Sequence, residues 1–131
     1  MYSETNSKII FHIDVNSAFL SWSAVNNLKI NPEQVDLRTI PSIIGGNQES
    51  RHGIVLAKSI PSKIYDINTG EPVTNALRKC PSLVIEPPNH KLYTEYSHKL
   101  MAMLTNYTPD IEQLSIDECF MDFTSISHQY A

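Results

Sequence analysis

The sequence predicts a mixed α/β (α+β) fold in which one insertion interrupts the strands and helices of a sheet. Short runs rich in β-branched residues recur along the 131-residue chain, which is typical of buried strands. Longer segments that begin at a cap residue and stop before a proline separate these runs, which is typical of helices. The order is β-α, an irregular stretch, and then β-α-β-β. We therefore expect a mixed sheet with an insertion between its first helix and its third strand.

In the first half of the chain, four elements follow from local signals. They are a strand at 8–15, a helix from a cap at 16 or 17 to residue 30, and strands at 40–46 and 53–59. Asn16 or Ser17 can cap the helix with its side-chain oxygen, and Asn31-Pro32 ends it. Gly70 follows Asn68 and Thr69, and this tripeptide breaks the chain before the next element.

In the second half, proline and asparagine mark the helix starts. The elements are a helix at 72–80, a strand at 83–85, a helix from a cap at 89 to residue 107, and strands at 111–116 and 119–124. Pro72 suits the first position of a helix, and Asn89 suits an N-cap. The last helix has one apolar face, formed by Leu92, Tyr96, Leu100, Met103, Leu104 and Tyr107.

Composition limits the classes of function open to this chain alone. Ten lysines and arginines against 14 acids give a net charge of -4, so the chain lacks the basic footprint of a free-standing nucleic-acid binder. Cys80 and Cys119 have no metal-ligand spacing, so we interpret them as buried free thiols of a reducing cytosol. No signal peptide and no apolar run of about 20 residues is present, so we expect a cytoplasmic protein without a membrane partner. The tail SISHQYA carries no stop signal, which suggests a piece of something larger.

Three acids lie at ends of predicted strands. Asp117 and Glu118 sit side by side in SIDECFMDF, among residues expected to leave water, and Asp14 ends the first strand. Neighbours in a regular strand point to opposite faces, but at the tip of a hairpin both carboxylates can converge. Carboxylates in an apolar setting need compensation, and Mg²⁺ is the cation that a few carboxylates plus substrate phosphates hold.

Simpler interpretations compete with a metal site. Taken alone, Asp14 is most often a helix N-cap, and an Asp-Glu dipeptide is most often a solvated turn. The joint placement of all three acids after apolar strands makes the two interpretations equally good on spacing alone.

Three segments resemble the signature segments of the Y-family DNA polymerases, the translesion enzymes. They are FHIDVNSAFLSW, GIVLAKSIPSKIYDINTGEP and LSIDECFMDF, in the order that the family has. The resemblance covers about residues 8–124, and the pair of the HID strand and the SIDE tetrapeptide is highly specific. TGEP at 69–72 and the AKS stretch resemble the UmuC/ImpB-MucB-SamB branch more than the DinB branch.

The resemblance implies a DNA-directed DNA polymerase that serves DNA repair and the SOS response. Asp14, Asp117 and Glu118 would hold two Mg²⁺ ions, which Mn²⁺ can replace, with the Val15 carbonyl as a further ligand. The implied partners are primer-template DNA, a deoxynucleoside triphosphate, and a sliding clamp contacted through C-terminal regions. The implied domains are a palm at 1–29 and 83–131 and small fingers at 30–82.

Further residues are implied to contact the incoming nucleotide. Phe19 matches the steric gate against a 2′-hydroxyl, with packing in the helix core as the alternative, and the small Ala18 precedes it. Lys63 stands where many members have a triphosphate-gripping arginine, and Lys58 could add a second charge or be merely solvated. Two family contacts are missing, because Ile60 replaces a tyrosine and Ala57 a hydroxyl residue of the DinB type.

Some residues receive weak or no roles, and two other functions stay open. The histidines (His12, His52, His90, His98 and His128) have no ligand spacing and are interpreted as structural or surface residues, while Arg51 with His52 is a weak candidate for DNA contact. A palm-type nucleotidyl cyclase would also need acids at strand ends but lacks the fingers insertion. A catalytically inactive homologue that binds other proteins is disfavoured because all three acids are present.

Overall fold

The computed structural model describes residues 8–46 and 53–124. The chain divides into two compact units, one reaching Val15 and resuming at Thr94, the other spanning Asn16–Tyr93. Arg51, His52 and His128 lie outside the described residues, so their interpretation is not tested.

The first unit contains a three-stranded antiparallel sheet. Its strands are β1 (Ile10–Asp14), β5 (Ile111–Ser115) and β6 (Glu118–Asp122), in the order β1-β6-β5. One face of the sheet forms the core of this unit, because Cys119 and Met121 are buried against Leu104. Alternation along β6 therefore sends Glu118 and Phe120 to the other face.

The second unit contains a mixed sheet with helices. Its elements are α1 (Ala18–Ile30), β2 (Ser42–Gly45), β3 (Val55–Lys58), a 3-10 helix (Ile60–Tyr65), α2 (Val73–Lys79) and β4 (Val84–Glu86). The strand order is β3-β2-β4, with β2 antiparallel to β3 and parallel to β4. Burial of Ile43, Val55 and Val73 forms the larger core of the unit.

Helix ends differ in how they are capped. The N–H of Leu92 donates to Asn89 Oδ1 at 3.1 Å, which confirms Asn89 as the cap of α3 (His90–Leu104). Ser17 precedes α1 but makes no side-chain cap bond; it adopts a left-handed conformation with φ of 48° instead. The expected side-chain cap at α1 was therefore wrong. Gly70 has φ of 93° in the turn after Asn68, where a residue with a Cβ would be strained.

The sheet arrangement departs from the expectation of one mixed sheet. Residues 84–86 pair with β2, with Ile43 opposite Ile85, so this strand completes the sheet of the second unit. The reason is packing, since Leu83 just before it is buried with Ile43 and Val55.

The buried line along α3 is rotated from the expected apolar face. Tyr93, Ser97 and Leu104 are buried, whereas Met103 and Tyr107 are about half exposed at 50% and 48%. A hydrogen bond explains part of this rotation, because Ser97 Oγ accepts from Gln113 Nε2 at 3.2 Å. The pattern of apolar residues does not predict the burial of a polar side chain that has a hydrogen-bond partner.

Candidate metal and nucleotide site

The acid pair lies where the β5–β6 hairpin turns. Ile116 and Asp117 form the turn, and Glu118 is the first residue of β6. The Ser115 hydroxyl lies 3.0 Å from Asp117 Oδ1 and 3.2 Å from Glu118 Oε1. A single hydroxyl is thus within donating distance of both carboxylates. The hairpin turn brings two adjacent side chains to one point, as expected for a hairpin tip.

Asp14 reaches the same edge of the sheet through the β1–β6 pairing. It lies directly opposite Glu118 in the antiparallel register, and the Val15 N–H donates to the Asp117 carbonyl at 3.0 Å. Residues opposite each other in such a pair have Cβ atoms about 4.5–5.5 Å apart and share a face. The register therefore places Asp14 beside the acid pair in the first unit, although more than 100 residues separate positions 14 and 117 in the sequence.

His12 is a neighbour of the acids that the sequence interpretation missed. Its Nε2 lies 3.0 Å from Glu118 Oε2, and its ring lies 5.0 Å from that of Phe120. The signal that could have found it is alternation, because His12 and Asp14 are two apart in one strand and share a face. Glu118 thus has two partners, His12 and Ser115.

The expectation that the acids are buried was wrong. Asp14 is exposed, and Asp117 and Glu118 are only partly buried, because they lie at the end of the sheet on its open face. Within the described residues, no group of three His, Cys, Asp or Glu side chains is drawn together as a ligand set. The site is a set of neighbouring carboxylates, with Glu118 turned toward His12.

The donors nevertheless fit Mg²⁺ in chemistry. All are hard oxygen atoms, and the register places Asp14, Asp117 and Glu118 at one end of one sheet. Within residues 8–46 and 53–124, no lysine or arginine forms an ion pair with these acids. An external cation or solvent must therefore compensate the negative charge of these carboxylates.

Phe19 is held in an aromatic cluster of the second unit. Its ring stacks on that of Tyr93, with centroids 4.4 Å apart and planes 7° from parallel, and meets the edge of His90 at 6.2 Å. Phe19 remains partly exposed, while Ala18 beside it is buried. The ring therefore has both a packing partner and a free part of its surface.

The two lysines expected near the triphosphate have different surroundings. Lys58 is partly buried, and its Nζ donates to the Ile67 carbonyl at 2.9 Å. Lys63 lies exposed on the 3-10 helix, and its side chain has no hydrogen bond or ion pair within the described part of the chain. Of the neighbouring positions, Ile60 is exposed and Ala57 is buried. Lys63 is thus the lysine that is open to a ligand.

Comparison with known proteins identifies the family. The profile described as "impB/mucB/samB family" matches residues 13–131. The chain belongs to the impB/mucB/samB family. This membership confirms the resemblance to the Y-family polymerases that the HID and SIDE segments carry.

Relatives of this impB/mucB/samB chain are named DNA polymerase IV. That of Clostridium acetobutylicum is 56% identical over 119 residues, covering 91% of this chain and 30% of the relative. That of Alkaliphilus oremlandii is 36% identical, covering 93% of this chain and 29% of the relative. The chain thus spans about a third of the length of the curated relatives that it matches.

Solved structures share the fold of this family member. A Y-family DNA polymerase chimera, Dbh-Dpo4(243-245)-Dbh, matches with a TM-score of 0.77 and 22% identity, covering 88% of this chain and 32% of the other. DinB from Sulfolobus solfataricus matches with a TM-score of 0.74 and 21% identity, covering 90% and 33%. At these identities the likeness shows a shared mixed helix-and-sheet fold. Across the described residues, the helices are all too short or too polar to cross a bilayer.

Proposed function

We propose that this chain is the palm and fingers part of a translesion DNA polymerase, which joins a deoxynucleoside triphosphate to a primer 3′-hydroxyl. The observation that carries the proposal is the register, which places Asp14 opposite Glu118 at the end of the β1–β6 pair, with Asp117 beside Glu118 in the adjoining turn. Strand-end carboxylates held by register, on an open face, are suited to a phosphate-bound cation. The palm is proposed at 1–29 and 83–131, with the fingers at 30–82.

The proposed role of the acids is to hold Mg²⁺, or Mn²⁺ in its place. When bound, two such ions supply Lewis acidity to the primer hydroxyl and charge neutralisation to the leaving pyrophosphate. Asp14, Asp117, Glu118 and the Val15 carbonyl would be the protein ligands. The Ser115 hydroxyl would share its one proton between Asp117 and Glu118 and so help to orient them, and His12 would restrain the second oxygen of Glu118.

Nucleotide selection is proposed for the second unit. Phe19 would bar a ribose 2′-hydroxyl, because an aromatic ring leaves that group neither space nor a hydrogen-bond partner. Ala18, beside it, is small. Lys63 would contact the triphosphate as a point charge. Lys58 would contribute less to triphosphate binding, because its ammonium group already donates to the Ile67 carbonyl.

The wider biological role follows the same proposal. Primer-template DNA would be gripped mainly by regions beyond this chain, since its own net charge is -4. Those C-terminal regions would also contact a sliding clamp. The proposed setting is DNA repair and the SOS response in the cytoplasm.

A primer-extension assay tests the proposal. The 131-residue chain alone is expected to fold, to bind Mg²⁺ weakly and to extend no primer. The chain completed with the C-terminal regions of the Clostridium acetobutylicum relative, called here the completed polymerase, should extend primers. Asp117→Ala with Glu118→Ala should abolish extension, whereas Glu112→Ala, an exposed acid of β5 outside the cluster, should not. Extension by the double variant would refute the assigned roles.

A further inference from the structure

Tyr93 is a fully buried aromatic residue of the second unit that the proposed function does not use. Tyr93 is 0% exposed, and its hydroxyl lies 2.7 Å from the Ser23 hydroxyl, which is also buried. One of the two hydroxyls donates to the other, so each buried hydroxyl has a partner within the protein. The pair joins α1 to the start of α3.

The stacked contact links this buried pair to Phe19. Phe19 and Ser23 are four residues apart in α1, so both face the same side of the helix. Tyr93 contacts Phe19 with its ring and Ser23 with its hydroxyl, so it is held at its ring and at its tip. A ring anchored in this way cannot slide or swing away without losing its hydrogen bond.

We infer that Tyr93, anchored by Ser23, is a positioning residue that fixes the ring of Phe19 for discrimination against ribonucleotides. This inference rests on the proposed role of Phe19. Excluding one oxygen atom requires the barring ring to hold its place closely, because a displacement of about 1 Å can change a rate by about 100-fold. Tyr93 supplies that restraint from a position that the nucleotide does not touch.

The test measures discrimination, as the ratio of kcat/KM for a deoxynucleotide to that for its ribonucleotide, in the completed polymerase. Tyr93→Leu removes both the stacked ring and the hydroxyl. It should lower the ratio by roughly 10-fold, no more than removal of the Phe19 ring itself does. Tyr93→Phe and Ser23→Ala keep a stacked ring but break the anchor, and each should lower it by about 2- to 5-fold. Ile67→Ala, equally buried but in the other core cluster of the unit, should leave the ratio unchanged.

A second comparison separates positioning from general stability. In a Phe19→Ala background, Tyr93→Leu should have no further effect on the ratio, since there is no ring left to hold. An unchanged ratio in folded Tyr93→Leu, or an effect that persists without the Phe19 ring, would overturn the inference. If Tyr93→Leu fails to fold, the milder Tyr93→Phe and Ser23→Ala decide by the same criteria. If Phe19→Ala itself leaves discrimination intact, the gate assignment fails and this inference fails with it.

Discussion

Asp14 lies directly opposite Glu118 in the antiparallel β1–β6 pair, so two acidic residues occupy opposite positions on adjacent strands. Like charges placed in this way destabilise a sheet. The pairing is therefore unfavourable in itself, and a cation held by the two carboxylates, as proposed above, would relieve the repulsion. We therefore expect metal binding and folding to be coupled at this point.

Asp14→Asn should stabilise the metal-free chain while weakening its response to Mg²⁺. Removing one of two opposed charges should raise the free energy of unfolding by about 0.2–1 kcal/mol. Saturating Mg²⁺ should stabilise the wild type more than the variant, because a ligand stabilises the state that binds it. Urea unfolding with and without Mg²⁺ measures both effects. Glu112→Gln, on the neighbouring strand, is the control and should respond to Mg²⁺ like the wild type. A destabilised Asp14→Asn, or one with an undiminished response, would contradict the metal assignment.

Phe19→Ala should raise ribonucleotide incorporation and leave deoxynucleotide incorporation largely intact. Loss of the ring removes the steric barrier to a 2′-hydroxyl, and the discrimination ratio should fall by roughly 10- to 100-fold. Single-nucleotide insertion kinetics in the completed polymerase measure the ratio. Leu56→Ala is the matched control, because Leu56 packs in the same cluster as Phe19. Equal discrimination in Phe19→Ala and wild type would show that the ring serves packing alone.

Lys58 and Lys63 should separate into a structural and a substrate-binding residue. Lys58→Met leaves the Ile67 carbonyl without its charged donor and should lower the free energy of unfolding on the order of 1.5 kcal/mol. Lys63→Met changes an exposed side chain, so stability should stay within about 0.5 kcal/mol while KM for the nucleotide rises. Thermal unfolding and steady-state kinetics measure the two effects. If Lys58→Met instead raises KM without loss of stability and Lys63→Met lowers stability, the structural and substrate-binding roles of the two lysines would be reversed.

Glu71 should contribute stability that is lost in acid. Burial by itself raises the pKa of its carboxyl, but the hydrogen bond from the Asn68 N–H and the contacts with Lys79 outweigh burial and hold the pKa below its ordinary 4.5. A carboxyl with a lowered folded pKa stabilises the chain above its unfolded pKa, and this contribution disappears as pH falls through the folded value.

The measurement is the free energy of unfolding from about pH 6 down to about pH 3, a range that brackets the ordinary carboxyl pKa. Glu71→Gln should lie below the wild type at pH 6, and the difference should shrink as pH falls. The exposed Glu95→Gln is the control and should run parallel to the wild type. A constant difference for Glu71→Gln would show that the charge of Glu71 has no part in stability.

Cys119 should be inert to thiol reagents in the native chain. Burial raises the pKa of its thiol, and the side chain is 0% exposed within the core of the first unit, so little reactive thiolate forms. Cys80 is also a buried free thiol, as the sequence predicted. Labelling should therefore be slow in buffer and should reach both thiols rapidly in denaturant. Rapid labelling of the native wild type that disappears in Cys119→Ser would show that Cys119 is accessible.

The sequence by itself determined the elements whose signals are local. The run IFHID forms β1, Asn89 caps α3, and a hairpin places Asp117 in its turn. Each of these features depends only on residues within one turn or one strand, so a short stretch of sequence is enough to predict it. The three acids could be singled out in the same way, because each lies at the end of an apolar run.

Only the tertiary structure decided which of these elements meet. β4 pairs with β2 because Leu83 packs in the core beside Ile43. Nothing in the sequence of residues 83–86 indicates which strand they pair with. Tyr93 is buried against Ser23, which lies 70 residues away in the sequence. His12 contacts Glu118 on the neighbouring strand, 106 residues away in the sequence. Such contacts form where packing and register bring distant segments together, and burial is gained only after that long-range encounter. The composition of either segment alone therefore does not reveal them.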